Sequence, residues 1–116
     1  MLTKRDLINY MASGCKPRDT WRMGLEHEQF VFHAQTGAPL SYDGEPGIRQ
    51  ILETLAARFG WQKKYEGETL IALIKDNQSI TLEPAGQIEL SGAPHPTIAA
   101  MVGEHQAYSE ELKAIA

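Results

Sequence analysis

Four glutamates carry the chemistry that can be read from this chain: Glu26, Glu28, Glu83 and Glu89. Glu26 and Glu28 stand one residue apart in WRMGLEHEQFVFH, residues 21–33, which reads as a β-strand. Side chains alternate faces along a strand, so Glu26 and Glu28 share one face, with Phe30 and Phe32 further along it. Two carboxylates at that spacing repel each other and lose hydration if covered, and a cation offsets both costs. Glu83 and Glu89 bracket a bend at Pro84-Ala85-Gly86 in a second extended stretch. If the two stretches are sheet neighbours, the four carboxylates converge on one face. Such a set suits Mg²⁺ or Mn²⁺, hard cations that prefer oxygen ligands, and Mg²⁺ commonly shares its sphere with phosphate oxygens. That chemistry is a nucleotide-phosphate site built on a sheet. The competing reading is a solvated strand face, with Glu83 a turn residue and Glu89 the outward side of an amphipathic strand. Spacing alone leaves both open.

Other candidates are fewer. Arg22 shares the glutamate face and is placed to meet a carboxylate or phosphate, or to pair with a neighbouring glutamate. His27 falls between the two glutamates and faces the other way. His33, His95 and His105 have no ligand spacing to one another. Cys15 lacks a local histidine or basic partner that would mark a nucleophile, so no covalent catalyst is assigned. Neither a P-loop nor a dinucleotide fingerprint is present.

The elements that position these residues follow from periodicity and turn chemistry. Residues 3–13 read as a helix capped by Thr3, with Asp6 completing a capping box, an apolar stripe of Leu7, Ile8 and Met11, and Gly14 as terminator. The strand over 21–33 follows, then a turn at Gln35-Thr36-Gly37 and a short returning strand over 38–42. Asp43 to Glu45 opens a second helix with Pro46 in its first turn; Ile48, Ile51, Leu52, Leu55 and Phe59 repeat at helical spacing and Gly60 ends it. Trp61–Tyr65 reads as a strand. Leu70–Ile74 and Ser79–Glu83 flank Asp76-Asn77, a tight hairpin turn. Gln87–Ser91 is extended, with Ile88 and Leu90 on one face and Gln87, Glu89 and Ser91 on the other. A loop with two prolines leads to a third helix from Thr97 to the end, with Ile98, Met101, Val102, Tyr108, Leu112 and Ile115 as its stripe; that helix reads as cut rather than finished.

Bulk properties bound the rest. The chain has 116 residues, 42% hydrophobic and 22% charged, which fits one soluble domain with one core. A net charge of −4 and scattered basic residues argue against nucleic acid or an anionic membrane as partner. One cysteine precludes an internal disulfide. MLTKRDLINYM lacks a signal-peptide apolar run and no stretch is long enough to span a bilayer, so a cytoplasmic protein is expected.

Two segments taken together are more specific. RMGLEHEQFVF, residues 22–32, and ITLEPAGQIELSGAP, residues 80–94, resemble the paired motifs of the plant-type and bacterial glutamate–cysteine ligases. One departure is Ala85, where that family usually has glycine. The resemblance covers nearly the whole chain. It implies an α+β fold similar to glutamine synthetase, a curved antiparallel sheet flanked by helices with the active site on its concave face. It also implies that residues 1–116 are the N-terminal part of a single catalytic domain. The implied reaction joins the glutamate γ-carboxylate to the cysteine amine with ATP and Mg²⁺ (or Mn²⁺) through γ-glutamyl phosphate, the first step of glutathione biosynthesis. Glu26, Glu28, Glu83 and Glu89 are then expected to bind metal, and Arg22 and Gln87 to contact substrate or phosphate.

Family members are several times longer than this chain. The remainder of the catalytic domain is therefore an expected partner, the piece is expected to be inactive alone, and its open sheet edges invite self-association. A non-catalytic binding or assembly module of the same fold, and a carboxylate–amine ligase using another amine, are the competing readings.

Overall fold

The computed structural model describes residues 1–116. Three helices and five strands follow in the order α1 (Lys4–Ser13), β1 (Glu26–Gln29), α2 (Ile48–Phe59), β2 (Gln62–Glu66), β3 (Thr69–Lys75), β4 (Gln78–Glu83), β5 (Gln87–Ser91) and α3 (Ile98–Lys113). The strands make one open antiparallel sheet in the order β1-β5-β4-β3-β2. This is the α+β architecture expected, and it agrees with a glutamine-synthetase-like relationship. No helix is long and apolar enough to cross a membrane.

Strand alternation divides the sheet into two chemically distinct faces. On one, cross-strand pairing lines up His27, Leu90, Ile80 and Leu73, with Gln29, Ile88 and Leu82 in the adjoining row. Leu73, Ile80, Ile88 and Leu90 join Ile48, Leu52 and Leu55 of α2, Tyr108 of α3, and Trp61 in the core. The core is small, with only 14 of 116 residues buried, so each of its large side chains carries a substantial share of the stability. The other face carries Glu26, Glu28, Glu89 and their row partners.

Local chemistry explains the elements. Thr3 and Asp6 form the expected capping box: Thr3 N donates to Asp6 Oδ2 at 2.8 Å and Asp6 N donates to Thr3 Oγ1 at 3.2 Å. The Thr3 hydroxyl, donating to Asp6 Oδ2 at 2.6 Å, and after it the Thr3 amide hold the Asp6 carboxyl below its ordinary pKa. The α1 stripe covers nothing, however: no residue of α1 is buried. Asp76 and Asn77 both take positive φ in the two-residue β3–β4 turn, as a twisted hairpin requires. The β2 edge is exposed along its whole length, and Lys63 and Lys64 guard it.

Several expectations are corrected. The strand over 21–33 shrinks to Glu26–Gln29, because its partner β5 is short at both ends: it stops at Ser91 opposite Glu26, and the Pro84–Gly86 bend precedes it beyond Gln29. Met23 and Phe32 survive as isolated bridges to His95 and Pro39. The returning strand over 38–42 is reduced to the Phe32–Pro39 bridge, flanked by His33 N donating to Ala38 O at 2.9 Å and Leu40 N donating to Val31 O at 3.0 Å. Pro46 lies before α2 rather than in its first turn. The α2 cap is Gly47, and the Ile48 and Arg49 amides are satisfied by Ser41 O and Tyr42 O, both at 3.0 Å. Trp61 is a core residue preceding β2. The α3 stripe is split: Tyr108 is buried and Leu112 and Ile115 pack on the core, while Ile98 and Val102 are exposed.

The Pro84–Gly86 bend is a tight turn in which Ala85 has φ 63° and ψ 20°, the left-handed region. An L-residue there costs about 1–2 kcal/mol that glycine avoids. This accounts for the glycine usual at that motif position. Ala85→Gly is expected to stabilise the chain by about 0.5–1 kcal/mol, the strain relieved less the added freedom of the unfolded chain. The check is the urea midpoint, which should rise at an unchanged m-value.

Candidate functional site

The β1–β5 and β4–β5 ladders settle where the glutamates lie. Glu28 stands directly opposite Glu89, whose other neighbour is Thr81. Glu26 stands opposite Ser91, and Glu83 opposite Gln87. Paired residues of an antiparallel sheet share a face, as do residues two apart. Glu26, Glu28, Glu83, Gln87 and Glu89 therefore all project from the face opposite the core. Sequence separation closes to direct neighbourhood because the bend at residues 84–86 folds β4 onto β5, and β5 then receives β1.

The four carboxylates differ in environment. Glu26 and Glu28 are exposed, Glu83 is half-buried, and Glu89 is only 8% exposed. Gln87 Nε2 donates to Glu28 Oε2 at 3.3 Å, and Ser91 Oγ donates to Glu89 Oε1 at 2.8 Å. The Glu83 carboxyl is held above its ordinary pKa. The leading cause is a side-chain hydrogen bond with Glu89, followed by desolvation and by repulsion from Glu89, Glu28 and Glu26. Glu83 thus senses all three other glutamates. As the side chains stand, no three His, Cys, Asp or Glu groups are gathered closely enough to enclose an ion. The face is an open platform of oxygen donors whose mutual repulsion a divalent cation would relieve, which suits the donor chemistry of Mg²⁺ or Mn²⁺.

Other residues are sorted by the same geometry. The Arg22 guanidinium turns back on the preceding loop, with Nη1 donating to Trp21 O at 2.8 Å and Asp19 O at 3.2 Å, and is not brought onto the glutamates. His27 faces away from them as expected, its ring 4.5 Å edge-on from that of His105. Alternation gave Ser91 its face but not its role, which is the bond to Glu89. Cys15 is exposed and unpaired. A cavity of about 340 Å³ lies elsewhere, between α3 and the β3–β4 hairpin. There Glu111 accepts from Trp61 Nε1 at 2.6 Å and from Lys75 Nζ at 2.8 Å, while the buried Tyr108 hydroxyl has no hydrogen-bond partner.

Comparison with known proteins gives the family. Residues 22–116 match the family described as glutamate-cysteine ligase family 2 (GCS2). The chain is 46% identical over 115 residues to the chloroplastic glutamate–cysteine ligase of Brassica juncea, covering 99% of this chain and 22% of the relative. It is 47% identical over 114 residues to chloroplastic ligase A of Oryza sativa subsp. japonica, covering 98% of this chain and 23% of the relative. Against the Arabidopsis thaliana chloroplastic ligase it is 46% identical over 115 residues. The chain thus spans less than a quarter of the length of these relatives.

These names overturn the expected cytoplasmic location, because the matched ligases are chloroplastic. Few cysteines and no apolar run bear on secretion and membrane insertion; they do not distinguish cytosol from organelle. With the motif glutamates on one face and the family match running over 22–116, the chain belongs to glutamate–cysteine ligase family 2.

Proposed function

We propose that this chain supplies the metal–nucleotide platform of an ATP- and Mg²⁺-dependent ligase that joins the glutamate γ-carboxylate to the cysteine amine, the first step of glutathione biosynthesis. The observation that carries this is the register placing Glu28 against Glu89, with Glu26, Glu83 and Gln87 on the same face. Glu26, Glu28, Glu83 and Glu89 are the residues that would hold Mg²⁺ or Mn²⁺. Bound there, the ion supplies neutralisation of the phosphate oxygens when the anionic γ-carboxylate attacks the γ-phosphorus of ATP.

The chain's own groups orient the donors. Gln87 Nε2 engages one oxygen of Glu28, and the Ser91 hydroxyl engages one oxygen of Glu89. Transfer proceeds through γ-glutamyl phosphate, from which the amine displaces phosphate, so no enzyme nucleophile is needed and none is assigned. The remainder of a catalytic domain brings the other walls of the ATP and amino-acid sites, and the chain alone does not turn over. Identity near 46% to ligases named for cysteine favours that amine over another.

Calorimetry of Mg²⁺ or Mn²⁺ with ATP tests the platform, on this chain and on its Glu26→Gln/Glu28→Gln double variant. Binding that the variant loses supports the proposal; equal heats from both chains would refute it. Affinity is expected to weaken as pH falls into the carboxylate range, and the raised pKa of Glu83 starts its protonation above the ordinary glutamate range. The same shift sets the sign for folding without metal. A carboxyl whose folded pKa is raised contributes stability below its unfolded pKa and loses it as pH rises through the folded value.

A further inference from the structure

Glu104 lies on α3, outside both motifs, yet it is among the least exposed charged groups, its side chain 8% accessible. A buried carboxylate requires partners, and those of Glu104 all sit on the loop that follows β5. Both of its oxygens accept from Ala93 N, each at 3.1 Å, and Oε2 lies 3.0 Å from His95 Nε2. The approach is so close that a Cβ on Gly92 would collide with Glu104 Oε1 while coming within 3.1 Å of Leu25 O. A side chain at position 92 would therefore displace the Glu104 carboxylate and press on the Leu25 carbonyl.

The clamped loop is in turn what seats the glutamate strand. Gly92 N donates to Leu25 O at 2.7 Å, Met23 N to His95 O at 2.9 Å, and His95 N to Met23 O at 2.8 Å. These three bonds tether residues 23–25, immediately before Glu26. A continuous chain thus runs from the α3 carboxylate through Ala93 and His95 to the backbone that presents Glu26 and Glu28.

We propose that Glu104 is a positioning residue: it clamps the Gly92–His95 loop and thereby fixes the placement of Glu26 and Glu28, a role that rests on the metal-platform function proposed above. It touches neither metal nor substrate. Its effect on the platform is exerted wholly through the backbone of β1.

Amide hydrogen exchange on this chain reads the clamp without any metal or turnover. Glu104→Ala is expected to accelerate exchange at Ala93, His95 and Met23 by about tenfold or more, the worth of one charge-assisted hydrogen bond. Leu73 and Ile80, in the centre of the sheet, should be unchanged. Glu104→Gln keeps the shape and one acceptor oxygen, and is expected to restore part of the protection. Unchanged rates at Met23 and His95, or equal acceleration at Leu73 and Ile80 in both variants, would overturn the clamp.

In a full-length ligase carrying this sequence, Glu104→Gln is expected to raise the Mg²⁺ concentration for half-maximal activity about tenfold, as displaced supporting groups do at metal sites. Glu28→Gln serves as the reference. A shift in Glu28→Gln with none in Glu104→Gln overturns the positioning role. No shift in either overturns the metal function of the face, and the exchange data then decide the clamp separately.

Discussion

Glu26→Gln and Glu28→Gln are each expected to reduce turnover of a full-length ligase carrying this sequence by at least about a hundredfold, with the fold intact. The substitution keeps the size and planarity of the side chain and removes only the charge that a cation needs. Both residues are exposed and stand on the face away from the core, so neither change opens a cavity. Glu28 also faces Glu89 directly across the ladder. Like charges so placed destabilise a strand pair by a fraction of a kcal/mol, roughly 0.2–1, so Glu28→Gln is expected to leave stability equal or slightly higher. The two effects having opposite signs is the diagnostic, because damage to the fold lowers both together. Steady-state rates with glutamate, cysteine and ATP give the first quantity, and urea midpoints give the second. Near-normal turnover in both variants would remove these residues from the metal site.

The second large effect is on folding. Leu90→Ala is expected to cost about 2–5 kcal/mol, the range for truncating a fully buried leucine. Leu90 has no exposed surface, and it sits in the middle of the core row between His27 of β1 and Ile80 of β4. With so few buried residues, that loss is comparable with the whole stability of a small domain, about 5 kcal/mol at the low end. Far-UV circular dichroism during urea titration should show a chain largely unfolded at low denaturant. A loss below about 1 kcal/mol would show that Leu90 is not a principal core residue.

Much of this was legible because it depends on local periodicity. Alternation in GLEHEQ and QIELS gave Glu26, Glu28 and Glu89 the strand faces they occupy, and Asp76-Asn77 announced the hairpin that aligns β3 with β4. The helical spacing of Ile48, Leu52 and Leu55 found the core side of α2. What failed depends on partners distant in sequence. The extent of β1 is limited by where β5 stops, which nothing in residues 21–33 encodes. Arg22 alternates with the glutamates in sequence, but the irregular backbone before β1 lets it turn to the carbonyls of Asp19 and Trp21. The start of α2 is set by the carbonyls of Ser41 and Tyr42 rather than by a capping side chain. Glu104 shows no motif at all; its partners lie about ten residues away, and only the packing of α3 reveals them.

The shortness of β1 has a consequence for errors in assembly. Four residues make few ladder bonds, and the residues alternate charge with near-neutrality: Glu26, His27, Glu28, Gln29. A slip of one position would turn both glutamates inward against Leu90 and Ile88, into half-buried positions where a carboxylate loses hydration without gaining a partner. It would also leave His27 and Gln29 on the outer face, with no anionic group from this strand. The Met23–His95 bridge before the strand and the Phe32–Pro39 bridge after it stand on either side like two stitches. Together with the penalty for inversion, they make the misthreaded sheet both harder to form and less stable than the threaded one. The charges of the proposed site thereby also proofread the strand that carries them.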